Sequence, residues 1–183
     1  MGLVRLSNEW CDLIVDTSGG VPAVVHWGAP LGAEVDLDTV AAALRRPVTS
    51  GALDVVAPLS LVPEHGSGHP GRPGLLGHRR RGVAWAPRFV PAGTELDAAG
   101  RELVVRAVDP VAGLELVSEL RLGEALEVSC TLTNTGTDRY LLDALTVCVP
   151  MPAHAAELMT LHGRWIREFH TERRPWTTGS WTS

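Results

Sequence analysis

The sequence predicts an all-β, mainly antiparallel domain: a two-layer β-sandwich with one short helix. Three observations carry this. Apolar and polar residues alternate with a period of two over residues 114–122 and 126–133, the mark of strands with one buried and one wetter face. Turn signals bound those runs at Asp109-Pro110-Val111-Ala112-Gly113, Gly123-Glu124 and Asn134-Thr135-Gly136. Between residues 35 and 46 the period becomes helical.

In chain order, short strands are expected around residues 3–6, 10–16 and 23–27. The helix follows, with Val35, Leu37, Val40, Ala41 and Leu44 on one face, Asp36 or Asp38 as its cap and Pro47 as its stop. After residues 53–58 a glycine- and proline-rich loop begins, and residues 83–89 return to strand. Residues 103–108, 114–122, 126–133 and 140–149 then make a four-strand meander. The last of these is apolar on both faces, as expected of a more central strand. The chain shows no internal repeat, coiled-coil heptad or low-complexity tail. Layers of this kind close into a sandwich.

A chain of 183 residues is long enough to bury one sizeable core. No apolar run approaches the roughly 18–20 residues that span a bilayer, and the first residues lack the pattern of a signal peptide. A cytoplasmic protein without membrane partners is the simplest reading. All sixteen basic residues are arginine and the net charge is −5. The missing lysine excludes Schiff-base and P-loop chemistry. The acidic balance argues against a nucleic-acid partner, despite the Arg79-Arg80-Arg81 run. Cys11, Cys130 and Cys148 are widely spaced and are expected as buried thiols. No metal or cofactor is expected, because the histidines around Glu64 lack ligand spacing.

The loop Pro63-Glu64-His65-Gly66 through Gly71-Arg72-Pro73-Gly74-Leu75-Leu76-Gly77-His78-Arg79 is the most distinctive stretch. Its glycines and prolines forbid a regular helix or strand, so it holds a shape only if its polar side chains are tied down or aimed at something. For Arg72, Arg79, Arg80, Arg81 and Arg88, one reading has the guanidinium groups saturating loop carbonyls or pairing with Glu64. The other makes them a rim of donors for sugar hydroxyls or an adjoining subunit. Trp27, Trp85, Trp165, Trp176 and Trp181 suggest stacking platforms, but a partly buried indole with its N–H bonded is the commoner outcome. Trp176 and Trp181 are the better interface candidates. Glycoside hydrolysis needs two carboxylates held across the scissile bond. Here no spacing specifies such a pair: Glu115, Glu119 and Glu127 fall on the polar faces of strands.

Three segments, in matching order, carry a resemblance to the amino-terminal region of the α-galactosidases of glycoside hydrolase family 36. They are His26-Trp27-Gly28-Ala29-Pro30-Leu31-Gly32, the loop just described, and the Gly163-Arg164-Trp165 stretch with Arg173-Arg174-Pro175 beyond it. The resemblance implies a β-supersandwich and a parent enzyme that is a retaining hydrolase of terminal α-galactosides such as melibiose and raffinose. Its aspartate pair would lie in a (β/α)₈ barrel, with the nucleophile in a Lys-x-Asp motif. A chain without lysine holds no such motif, so no catalytic residue is assigned here. Residues 1–183 are then expected to form one amino-terminal sandwich domain ending before the barrel, with some strands missing and an unpaired edge prone to self-association. The resemblance also implies homo-oligomers whose amino-terminal loops approach a neighbour's active site. That selects Glu64, Arg72, His78 and Arg79 as substrate-rim or interface residues. A free-standing carbohydrate-binding sandwich is the alternative.

Overall fold

The computed structural model describes residues 2–45, 59–151 and 155–177. The chain divides into two compact units, Met1–Pro150 and Met151–Ser183.

In the first unit, β1 (Leu3–Ser7), β2 (Asp12–Asp16) and β3 (Ala23–Gly28) form an antiparallel sheet in that order. The helix α1 (Leu37–Ala43) is capped by Asp36, whose carboxylate accepts the Thr39 N–H at 3.1 Å. Its predicted apolar face is half-buried except for Leu44. The expected stop at Pro47 and residues 53–58 lie outside the described residues. Strand β4 (Leu75–Arg79) follows the loop. Then β5 (Val90–Leu96), β6 (Glu102–Asp109), β7 (Leu114–Leu122) and β8 (Leu126–Asn134) build a four-stranded antiparallel sheet in sequence order. Strand β9 (Tyr140–Leu145) pairs with β4.

The alternation in β7 places Leu114, Leu116, Ser118, Leu120 and Leu122 on one buried face. At one end, Leu120 and Leu122 join Leu103 and Val105 of β6 against Leu6, Leu13 and Val15 of the three-stranded sheet. At the other, Leu114, Leu116 and Ala107 pack with Val62, Leu75 and Phe89. Each fully buried leucine contributes roughly 1.5–3 kcal/mol relative to exposure. This row therefore sets the architecture, an all-β sandwich.

The meander differs from expectation at its ends. Its fourth strand is β5, not residues 140–149. Pro91 and Gly93 read as strand breakers, but β5 is an edge strand and its ladder shifts register between those two residues, where proline and glycine are tolerated. Strand β9 stops at Leu145 and belongs to a two-stranded sheet. Its apolar run reflects no central burial, since Leu141 and Leu142 are about half exposed. Residues 83–89 form no strand; a single bridge joins Arg79 to Val83, and Ala84 takes a left-handed φ of 55°. The cysteines are free and half-buried, not fully buried. Each lies at a margin: just before β2, on edge strand β8, and beyond β9. Partial burial still pushes all three thiols above their ordinary values.

The second unit is a hairpin of β10 (Glu157–Arg164) and β11 (Arg167–Pro175).

Candidate functional site

The glycine- and proline-rich loop is fastened to the sandwich by backbone bonds at both ends. The Leu61 N–H donates to Pro22 O at 2.8 Å and the Gly74 N–H to Pro63 O at 2.8 Å. In return Leu61 O accepts from Cys148 N–H and Gly74 O from Thr146 N–H, each at 2.7 Å. Two loop glycines are close-approach positions. A Cβ on Gly66 would lie 2.5 Å from Pro87 O, and one on Gly77 would lie 2.6 Å from Leu141 O. No larger residue fits against backbone at such distances.

Glu64 is buried at 5% exposure. Its carboxylate accepts the Phe89 N–H at 2.7 Å and the Ser67 hydroxyl at 2.9 Å. Burial raises its pKa above the usual carboxylate value, against the lowering influence of those hydrogen bonds and of Arg88. Asp109 works beside it, accepting the Arg88 N–H on one oxygen and the Val111 and Ala112 N–H groups on the other, all at 2.8 Å. Two carboxylates thus hold two successive backbone amides.

Arg79 is a second clamp. Its guanidinium donates to Ala112 O at 2.8 Å, Gly113 O at 3.1 Å, Asn134 Oδ1 at 2.8 Å and Asp138 O at 2.5 Å. It also lies 5.8 Å from the centre of the Tyr140 ring. One planar fork therefore joins the β6–β7 turn to the β8–β9 turn. Arg79 saturates loop carbonyls, as one of the two readings expected. Glu64, by contrast, is held by a backbone amide and a hydroxyl and makes no ion pair with an arginine among the described residues.

His78 is half-buried, its Nδ1 2.8 Å from Arg79 O. That contact is the hydrogen bond that joins two of the selected residues. Arg72 is exposed, with no hydrogen-bond or ion-pair partner among the described residues. Nearby in sequence, Trp85 is 62% exposed, its ring centre 6.0 Å from that of His65. His65 Nδ1 is held 3.1 Å from His69 O. Arg80 and Arg81 are likewise exposed, and Arg81 adopts a φ of 66°. Trp27 is half-buried against the core. Trp85 and Trp165 are far more exposed than expected, Trp85 on an irregular turn and Trp165 at a hairpin tip. Trp181 lies outside the described residues.

Two residues without a role in the sequence reading complete the scaffold. Asp12, fully buried, accepts from the Arg5 guanidinium at 2.6 Å, Ser7 Oγ at 2.5 Å and Leu31 N–H at 2.6 Å. Arg5 also donates to Leu31 O and Gly32 O, which fixes the end of the His26–Gly32 step. A charge on a strand otherwise apolar through Leu13, Ile14 and Val15 was the available signal. Burial acts to raise the Asp12 pKa, but the Ser7, Leu31 and Arg5 contacts outweigh it, and the net shift is downward. Among the described residues there is no group of three metal-ligating side chains, and no helix is long and apolar enough to cross a membrane.

The fold and its clamps define a β-sandwich domain whose signature residues hold loops in place. Residues 20–183 match the model of the glycosyl hydrolase family 36 N-terminal domain, and the chain belongs to that family. It is 36% identical over 171 residues to an α-galactosidase of Escherichia coli, a match covering 92% of this chain and 23% of that protein. Its fold is similar to that of a family 36 α-galactosidase from Geobacillus stearothermophilus (TM-score 0.69, 18% identity, 98% of this chain and 29% of that one). It is also similar to the α-galactosidase of Lactobacillus brevis (TM-score 0.74, 14% identity, 97% of this chain and 28% of that one). The chain spans about a quarter of the length of these relatives.

Proposed function

We propose that this chain is the non-catalytic amino-terminal portion of an α-galactosidase, serving assembly and the rim of the substrate site. The identity to the E. coli enzyme over 92% of the chain carries the reading. The chemistry of the buried carboxylates agrees with it. Glu64, Asp109 and Asp12 are consumed by backbone amides, a hydroxyl or a guanidinium. Hydrolysis of terminal α-galactosides then belongs to the parent enzyme, acting as a cytoplasmic homo-oligomer. Its free thiols fit a reducing compartment.

Among the rim candidates, Arg72 carries the role best. Glu64 spends its hydrogen-bonding capacity inside the core and Arg79 spends its own on the β6–β7 and β8–β9 turns, whereas Arg72 presents a guanidinium to solvent from the same loop. Purified chain is expected to release no chromophore from an aryl α-galactoside; steady turnover by the clean protein would sink the reading.

The exposed Trp85 beside His65 favours a second reading, a sugar-binding sandwich that acts alone. Titration with galactose, melibiose or raffinose would then quench tryptophan fluorescence, and Trp85→Ala or Arg72→Ala would weaken the response. A flat titration removes this reading and leaves the first intact.

A further inference from the structure

The hairpin of β10 and β11 turns through two residues, Trp165 and Ile166, between the paired Arg164 and Arg167. Ile166 takes a left-handed φ of 73°, a backbone position that ordinarily falls to glycine or asparagine and that a β-branched residue avoids. Behind the turn the register shifts, so that Gly163 faces both Glu168 and Phe169. Strand β11 is bulged there, and Phe169 takes a φ of 61°. A Cβ on Gly163 would lie 2.8 Å from Glu168 Cα, so the bulge closes against a glycine. Bulges re-aim side chains. Trp165, Ile166 and Phe169 are 85%, 80% and 78% exposed. Hairpin stability alone would select glycine or asparagine at both left-handed positions. Large apolar side chains stand there instead, in water, and backbone strain of this kind is kept at sites that make contact.

The tip is also basic. Arg164 and Arg167 lie directly opposite each other, which destabilises a strand pair. Neither has an ion-pair or hydrogen-bond partner among the described residues. An apolar wedge backed by two unpaired guanidinium groups fits a recess rimmed with carboxylates. The outer face of the four-stranded sheet holds one, a trough of about 320 Å³ whose lining includes Glu102, Val104, Glu119, Arg121, Glu127 and Ser129. Glu102, Arg121 and Glu127 form one rung across the strands, and Val104, Glu119 and Ser129 another. Arg121 donates to Glu102 at 2.8 Å and the Ser129 hydroxyl to Glu119 at 3.0 Å. Glu119 and Glu127 have no ion-pair partner among the described residues. Three carboxylates less one guanidinium leave two negative charges in the trough, the complement of the two arginines at the tip.

We infer that the hairpin tip of one copy seats in the trough of a second copy. Trp165 lies over the partner's Val104, with Arg164 and Arg167 against the partner's Glu119 and the partner's Glu127. Guanidinium–carboxylate pairs are among the strong charge-assisted hydrogen bonds. Tip against tip fails, because four guanidinium groups would converge. Tip and trough are different surfaces, so the contact runs head to tail. The inference rests on the assembly role proposed above and names its surfaces and its partner, a second copy of this chain.

Sedimentation of the full chain tests it. Wild type is expected to associate as concentration rises. The pair Arg164→Glu and Arg167→Glu, and separately the pair Glu119→Arg and Glu127→Arg, should each weaken association by about tenfold or more. An equimolar mixture of the two double variants restores it, because the reversed tip then meets the reversed trough. Ile166→Gly and Phe169→Gly should also weaken association, yet amide exchange in β10 and β11 should not quicken, since glycine relieves both left-handed positions. Monomer at all concentrations, a mixture no better than either variant alone, or faster exchange in Phe169→Gly would each overturn the inference. So would a monomer that binds anionic phospholipid vesicles through Trp165, which would assign the tip to a membrane surface. Association untouched by both charge reversals would remove this contact and leave the assembly role standing. None of those results bears on aryl α-galactoside turnover, so the functional reading stands or falls separately.

Discussion

Glu64 accepts the backbone N–H of Phe89 at 2.7 Å across 25 positions of sequence. This bond closes the glycine- and proline-rich loop onto the strand that begins at Val90. It is made inside the core, beside the fully buried Phe89 ring.

Removing the acceptor leaves a buried N–H without a partner. Glu64→Ala is therefore expected to cost about 1–3 kcal/mol, read by urea denaturation. Glu64→Gln keeps an oxygen for Phe89 and changes the pH dependence. Because burial raises the Glu64 pKa in the folded state, its contribution is fully present below its ordinary value of 4.5. It is lost as pH rises through the raised value. Wild type should lose melting temperature across that window and Glu64→Gln should not; parallel curves would remove Glu64 as the cause.

Asp12 has the opposite sign. Its pKa is lowered from 3.8, so its contribution is present above that value and is lost as pH falls through the folded-state value. Asp12→Asn should lower stability at neutral pH by about 1–3 kcal/mol and flatten the acid limb of the melting curve. An acid limb unchanged in Asp12→Asn would contradict this.

Arg79→Ala frees the β6–β7 turn from the β8–β9 turn at an expected cost of about 2 kcal/mol. Arg79→Lys should recover only part of it, because an ammonium cannot reproduce the planar fork. Amide exchange should quicken in residues 134–138 in both variants; full protection in Arg79→Lys would show that charge alone suffices.

Arg72→Ala and Trp85→Ala should leave stability within about 0.5 kcal/mol of wild type, since both side chains are exposed. A large loss would mean that they serve the scaffold.

The sandwich was legible where one physical rule dominated. Period-two alternation marked β7 and β8, and Asp36 gave the helix cap. Strand β5 was hidden because Pro91 and Gly93 break strands except at a sheet edge, and pairing order is not written in local sequence. Strand β9 misled through Leu141 and Leu142, whose apolar character says nothing about what covers them. The motif loop was recognisable from residue types, but its chemistry depends on distant partners. Glu64 meets Phe89, and Arg79 meets Ala112, Asn134 and Asp138. Asp109 and Asp12 gave little signal, since a carboxylate that binds backbone amides looks in sequence like one that faces water.

The most direct measurement is kinetic. The part of the E. coli α-galactosidase that matches this chain is replaced by the chain itself, and the hybrid is assayed on an aryl α-galactoside. The hybrid should hydrolyse it, and Arg72→Ala should raise KM several-fold with an unchanged melting temperature, as expected for lost substrate binding. A folded hybrid whose KM is indifferent to Arg72→Ala would contradict the rim assignment, and hydrolysis by the isolated chain would contradict the non-catalytic role.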